Sequence, residues 1–157
     1  MTKLSAGIVV FREVEQEIEV LLVHPGGPFW ASKDAGSWSI PKGLCDENED
    51  ALAAGQRELR EETGIIVAGE FIELGKFKQA SGKTILAWAI RGDFDPASLQ
   101  SNTFPLEWPP KSGQIRHFPE IDRAAWFSIA QAVPKITKGQ LPILKVVAEK
   151  LSRQRMM

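Results

Sequence analysis

With 157 residues, 19 Lys and Arg against 20 Asp and Glu, and 43 % hydrophobic residues beside 13 glycines, the chain has the make-up of one globular domain, residues 1–157. That balance excludes a protein gripping nucleic acid through a general basic field, and the composition excludes a disordered or fibrous chain. The single cysteine, Cys45, excludes an internal disulfide and a cysteine zinc cluster and fits the reducing cytoplasm, while no run approaches the ~18 apolar residues of a membrane span and no leader is expected.

Residues 5–12 and 17–24 are β-branched and aliphatic runs parted by the polar Glu13 to Gln16, a pattern that predicts an antiparallel hairpin. A loop follows over 25–37, where Pro25, Gly26, Gly27, Pro28 and Gly36 forbid regular structure. Trp38-Ser39-Ile40 reads as a short strand closed by Pro41. Residues 50–63 are rich in Ala, Leu, Glu and Arg, begin among Asn48, Glu49 and Asp50, and stop at Gly64, which predicts a helix with acids at its positive end. Two more strands are expected over 69–78 and 83–91, turning at Ser81-Gly82. Five of the ten prolines fall between 93 and 123, which reads as one long loop. A last strand over 124–127 leads to a short helix from Ser128 and a second from about Gly139 to Leu151, whose Leu144, Val147 and Leu151 share a face. Strands and helices interleave without a regular βαβ repeat, so an α/β fold with a mixed sheet covered by helices is expected.

Charge is unevenly spread. From Asp46 to Glu62, seven acids (Asp46, Glu47, Glu49, Asp50, Glu58, Glu61, Glu62) face only Arg57 and Arg60. Glu58, Glu61 and Glu62 stand at i, i+3 and i+4, so three carboxylates share one helical face and repel each other. A hard divalent cation with oxygen ligands, Mg²⁺ above all, would offset that repulsion. The plainer account is a solvated acidic face with Arg57 and Glu61 as an i,i+4 pair.

The residues in front of the helix decide between these accounts. Gly43, five residues, Glu49, seven residues, and then Arg57-Glu58-Leu59-Arg60-Glu61-Glu62-Thr63-Gly64-Ile65 resemble the complete Nudix box. The resemblance implies an α/β/α sandwich and hydrolysis of a nucleoside diphosphate linked to another moiety, with Mg²⁺, or Mn²⁺ in its place, as cofactor. In that setting Glu58 and Glu62 are the strongest metal ligands, and Glu61 is either a third ligand or the residue that orients water. Gly43 would turn the backbone tightly and expose a carbonyl oxygen to the metal. Arg57 is suited to brace Glu49, a task that fits its bidentate fork, while Leu59 and Ile65 belong to the core. A distal carboxylate often completes such sites, and Glu120 is the candidate here, against a plain solvated loop acid.

Trp38 with Pro41-Lys42-Gly43 resembles the entry to the box in dinucleoside tetraphosphate and diphosphoinositol polyphosphate hydrolases, and Lys42 can meet a phosphate as a point charge. The tyrosine usual in the tetraphosphate branch is missing from a chain with Tyr 0, and the proline usual in ADP-ribose hydrolases is missing too, so the branch stays open. Trp30 and Trp108 lie in Pro/Gly-rich loops, where an indole can stack on a base or pack between loops. Trp88 and Trp126 are expected in the core, and His24 and His117 are read as structural. From Pro134 onward Lys135, Lys138, Lys145, Lys150, Arg153 and Arg155 face only Glu149, a solvated basic face. The partner expected is a small nucleotide, with no membrane, nucleic acid disfavoured and oligomeric state open. A dinucleoside polyphosphate or nucleoside triphosphate is preferred as substrate. The alternatives are a nucleotide-sensing domain without turnover and an RNA 5'-end pyrophosphohydrolase.

Overall fold

The computed structural model describes residues 4–155, with side chains to residue 152. The side chains of Arg153 and Arg155, two of the basic residues noted above, therefore lie outside the described residues. The sheet opens with β1 (Leu4–Val14) and β2 (Glu17–Pro25), the antiparallel hairpin that the two aliphatic runs predict. Glu15 and Gln16 make its turn, both at positive φ, the backbone of a tight hairpin loop. Four further strands complete the sheet: β3 (Lys42–Leu44), β4 (Ile72–Lys78), β5 (Thr84–Arg91) and β8 (Ile121–Ser128). The order is β4-β5-β1-β2-β8 with β3 also on β1; β1 and β5 are parallel and the other pairs antiparallel, so the sheet is mixed.

β1 holds the centre, and its side chains alternate. Ile8 and Val10, with Leu21 and Val23 of β2, face the helix α1 (Ala51–Thr63) and pack with Leu59 and Ile65. Val9, Phe11, Val20 and Leu22 face the other way, against Ala132 of α2 (Ile129–Lys135) and Ile143, Leu144, Val147 and Leu151 of α3 (Leu141–Arg155). Because both faces are covered, the layers are α/β/α. Trp88 and Trp126 pack against the α1-side core, as expected.

Three expectations are corrected. Trp38-Ser39-Ile40 forms only isolated bridges, to Ile136 and Val23, and the strand lies at Lys42–Leu44 instead. β2 pairs with β1 only from Phe11 to Val14, so the edge of β1 from Ser5 to Gly7 is open to β3, with Ile8 N–H donating to the Pro41 carbonyl at 3.1 Å between them. The proline-rich stretch is no structureless loop: it holds a 3-10 turn at Pro96–Ser98 and an antiparallel ribbon of β6 (Thr103–Glu107) and β7 (Ile115–Pro119) apart from the main sheet. The strand expected at 124–127 is the end of the longer β8.

Candidate active site

α1 is fixed at both ends by local chemistry. Asp50 caps it by accepting from Ala53 N–H at 3.1 Å, and Gly64, at φ 84°, ends it with its N–H donating to the Arg60 carbonyl. Its carboxylates then meet β3. The Glu62 carboxylate accepts from the Lys42 backbone N–H. Glu58 lies so close to Gly43 that a Cβ there would stand 2.0 Å from its carboxyl carbon. Gly43 is thus needed for close approach and is part of a strand opposite Ala6, which replaces the tight turn expected of it.

Arg57 organises the remaining acids. Its Nε and Nη2 donate to Glu49 Oε2 and Oε1 at 2.8 and 3.0 Å, and Nη2 also donates to the Leu44 carbonyl at 3.0 Å. Its Nη1 reaches Glu58 Oε1 at 2.9 Å and Glu61 Oε2 at 3.2 Å. One guanidinium therefore locks the loop, β3 and the helix together while serving as counter-charge to two of the three clustered glutamates. The Arg57 bonds hold Glu49 below the usual carboxylate range, and Glu49 in turn pushes the Arg57 guanidinium further up.

Glu62 has no share in this guanidinium. It is 8 % exposed, and burial pushes its pKa up to about 8, with Glu58 and Glu120 adding repulsion against the attraction of Lys42. Burial also raises Glu58, and Glu61 and Glu120 add to the rise while Arg57 opposes it. Desolvation and Glu61 raise Glu120. Four carboxylates thus feel one another. Among the described residues no three of them are already gathered as a closed metal shell, since Glu58 and Glu61 turn to Arg57 and Glu62 to the Lys42 amide. The donor set nevertheless fits a hard divalent cation: oxygen ligands only, a buried carboxyl raised by its neighbours, and excess negative charge.

Glu120 comes from far away in the chain. Asn102 N–H donates to the Glu61 carbonyl and the Glu120 N–H to the Asn102 carbonyl, both at 2.8 Å, so a backbone relay hangs Glu120 from the end of α1. Asn102 gave no sign in the sequence, because its part is played by main-chain atoms. On the other side Gly26 N–H donates to the Glu120 carbonyl at 2.8 Å, which joins the loop after β2. That loop carries Trp30, 42 % exposed with Lys33 Nζ 5.3 Å from its ring centre, and Phe29, 61 % exposed and edge-on to half-buried Trp108 at 5.4 Å. Phe29 was missed in the sequence, masked by its Pro/Gly neighbours. Trp38 is corrected: it is 5 % exposed, its Nε1 donates to Asp34 Oδ1 at 2.7 Å, and its ring packs on His24 and Phe127. Its faces are spent on the core and leave none for a substrate.

The family model described as NUDIX domain matches residues 1–148. The chain belongs to the Nudix family. Its Nudix box is the β3-loop-α1 unit just described, with every charged box position in the Arg57 and Glu62 network. Nudix hydrolase 7 of Arabidopsis thaliana is 39 % identical over 82 residues, 52 % of this chain and 27 % of that protein. The asymmetrical bis(5'-nucleosyl)-tetraphosphatase of Mus musculus is 32 % identical over 96 residues, 54 % of this chain and 61 % of that protein. The chain thus spans less than two thirds of the length of either relative. The NUDIX domain of Shewanella oneidensis NrtR, solved with ADP ribose, superposes with a TM-score of 0.68 at 18 % identity over 96 % of this chain and 89 % of that one, which shows a shared Nudix fold.

Proposed function

We propose that the chain is a Mg²⁺-dependent pyrophosphohydrolase, with Mn²⁺ able to substitute, that cleaves a nucleoside diphosphate linked to another moiety. Dinucleoside polyphosphates and nucleoside triphosphates are the favoured substrates. The observation that carries this reading is the meeting of Glu58, Glu61 and Glu62 with the distant Glu120, around a buried carboxyl whose pKa is raised to about 8. The reading takes residues 1–157 as one catalytic domain in a reducing cytoplasm, consistent with a free Cys45.

Glu58 and Glu62, with the Gly43 carbonyl and in one arrangement Glu61, would hold the ion. When bound, the metal supplies neutralisation of the diphosphate and polarisation of the attacking water. Glu61 or Glu120 accepts the proton of that water on a carboxylate oxygen as its oxygen bonds to phosphorus and the bond to the departing phosphoryl oxygen breaks. Arg57 keeps Glu58 and Glu61 in place for this step, and Lys42 offers a charge to the phosphates. Trp30 and Trp108 offer planes to a base.

The test is a panel of dinucleoside tetraphosphates, nucleoside triphosphates, ADP-ribose and diphosphoinositol polyphosphates, with the product phosphates resolved. Mg²⁺-dependent cleavage of a nucleotide by the wild type is the expected result. Tight nucleotide binding without cleavage of any diphosphate would replace this reading with a sensing domain.

A further inference from the structure

At the end of β2 the His24 ring is fully buried, and both its nitrogens are engaged. Nε2 donates to the Lys33 carbonyl at 2.6 Å, since a carbonyl only accepts, and Nδ1 shares a proton with Asp122 Oδ1 at 2.8 Å. The two partners lie on different segments: Lys33 on the loop that carries Phe29 and Trp30, and Asp122 on β8 two residues beyond Glu120. These segments meet a second time where Gly26 N–H donates to the Glu120 carbonyl. The loop is therefore tied at both ends to the stretch that carries Glu120, and one tie runs through His24.

A buried histidine with two hydrogen bonds is most often a packing device whose loss costs stability alone. What these ties hold sets His24 apart: exposed Phe29 and Trp30 on one segment, and on the other Glu120, which is coupled to Glu58, Glu61 and Glu62. We propose that His24, with Asp122, is a positioning residue that fixes Glu120 and the loop from Gly26 to Lys33 as one unit beside the carboxylate cluster. The kinetic part of this inference rests on the pyrophosphohydrolase reading; the mechanical part does not.

The experiment compares His24→Gln with Asp122→Asn by hydrogen exchange and kinetics. Gln spans at most one of the two ties. Asn at 122 keeps both, because its amide can donate to Nδ1 of a neutral His24 whose Nε2–H still reaches Lys33. In H24Q, exchange over residues 26–33 and 118–122 should rise together by about tenfold or more with the central sheet unchanged, and D122N should stay near wild type. On the best substrate, H24Q should lower kcat by about tenfold, yet add less than about twofold on a Glu120→Gln background, because both changes remove the same positioned group. Should H24Q fail to fold, Asp122→Ala, which cuts one tie on β8, is read in the same way. Exchange that rises evenly through the sheet, exchange that rises in one segment alone, or kinetic losses that multiply with those of E120Q would each overturn the proposal. Absence of turnover in the wild type would sink the functional reading and leave the exchange result to decide the mechanical one.

Discussion

At the scale of single residues, Glu62 sets the electrostatics of the site. Its carboxyl titrates at about 8 in the folded chain against 4.5 for the free group, with burial as the main cause and Glu58 next. Between those values the folded state holds a proton that the unfolded state has released. Metal-free stability should therefore fall as pH rises from about 4.5 to about 8. A bound divalent ion takes over the proton's task of balancing charge, so Mg²⁺ should raise the Tm more at pH 8 than at pH 5. Melts across pH with and without millimolar Mg²⁺ check this, and a Mg²⁺ shift that is absent, or equal at both pH values, would count against Glu62 as a ligand. Glu62→Gln keeps the volume and the oxygen that accepts from Lys42 N–H while removing the charge. It should flatten the metal-free pH dependence, abolish the Mg²⁺ shift and, like Glu58→Gln, lower turnover by roughly 10²-fold or more. Near-normal turnover in both variants would remove the metal assignment.

At the scale of elements, the carboxylate half of the candidate site is the contact of α1 with β3, and Gly43 is its tightest point. Gly43→Ala would set a methyl carbon 2.0 Å from the Glu58 carboxyl carbon, so Glu58 must swing away and Arg57 Nη1 must lose or follow it. Turnover should fall about as far as in E58Q, while the melting temperature changes by only a few degrees, because the atoms that must give way are the far end of a flexible side chain and not backbone. Full activity in G43A would show that the Glu58 position is not needed. α1 was legible because its cap, its helix formers and its Gly64 stop are all local signals. β3 was not: Lys-Gly-Leu has no strand pattern, and it becomes a strand only because the unpaired edge of β1 needs partners. The β6–β7 ribbon hid behind its prolines. Pro105 and Pro119 are tolerable in a two-stranded ribbon outside the main sheet, where an outward-facing main-chain N–H can be given up without breaking a ladder on both sides.

At the scale of the whole molecule, the site has a local part and an assembled part, and only the first could be read in full from the chain. The charged box positions lie within 23 residues of sequence, so helical spacing and the loop in front place them together. Glu120, His24 and Phe29 reach the same end of the sheet through the bonds of Asn102, Gly26 and Asp122, which no periodicity records. Trp38 was misplaced for a related reason: a tryptophan beside a loop looks available until the fold sets Asp34, His24 and Phe127 around it. This division of the site also predicts how substrate is selected. In the proposed reading the phosphate end belongs to β3 and α1, whereas the aromatic planes belong to the loop after β2 and the tip of the ribbon. Trp30→Ala or Trp108→Ala should then weaken nucleotide binding by about 1–3 kcal/mol and leave inorganic tripolyphosphate almost unaffected, because stacking acts only on a base. Lys42→Ala should depress tripolyphosphate and nucleotides alike, since a phosphate contact carries no base information. Calorimetric titration of both ligands into the three variants separates the two halves. Equal losses for both ligands in a tryptophan variant would mean that the indole supports the phosphate site by packing, and selection of the base would then have to come from elsewhere in the fold.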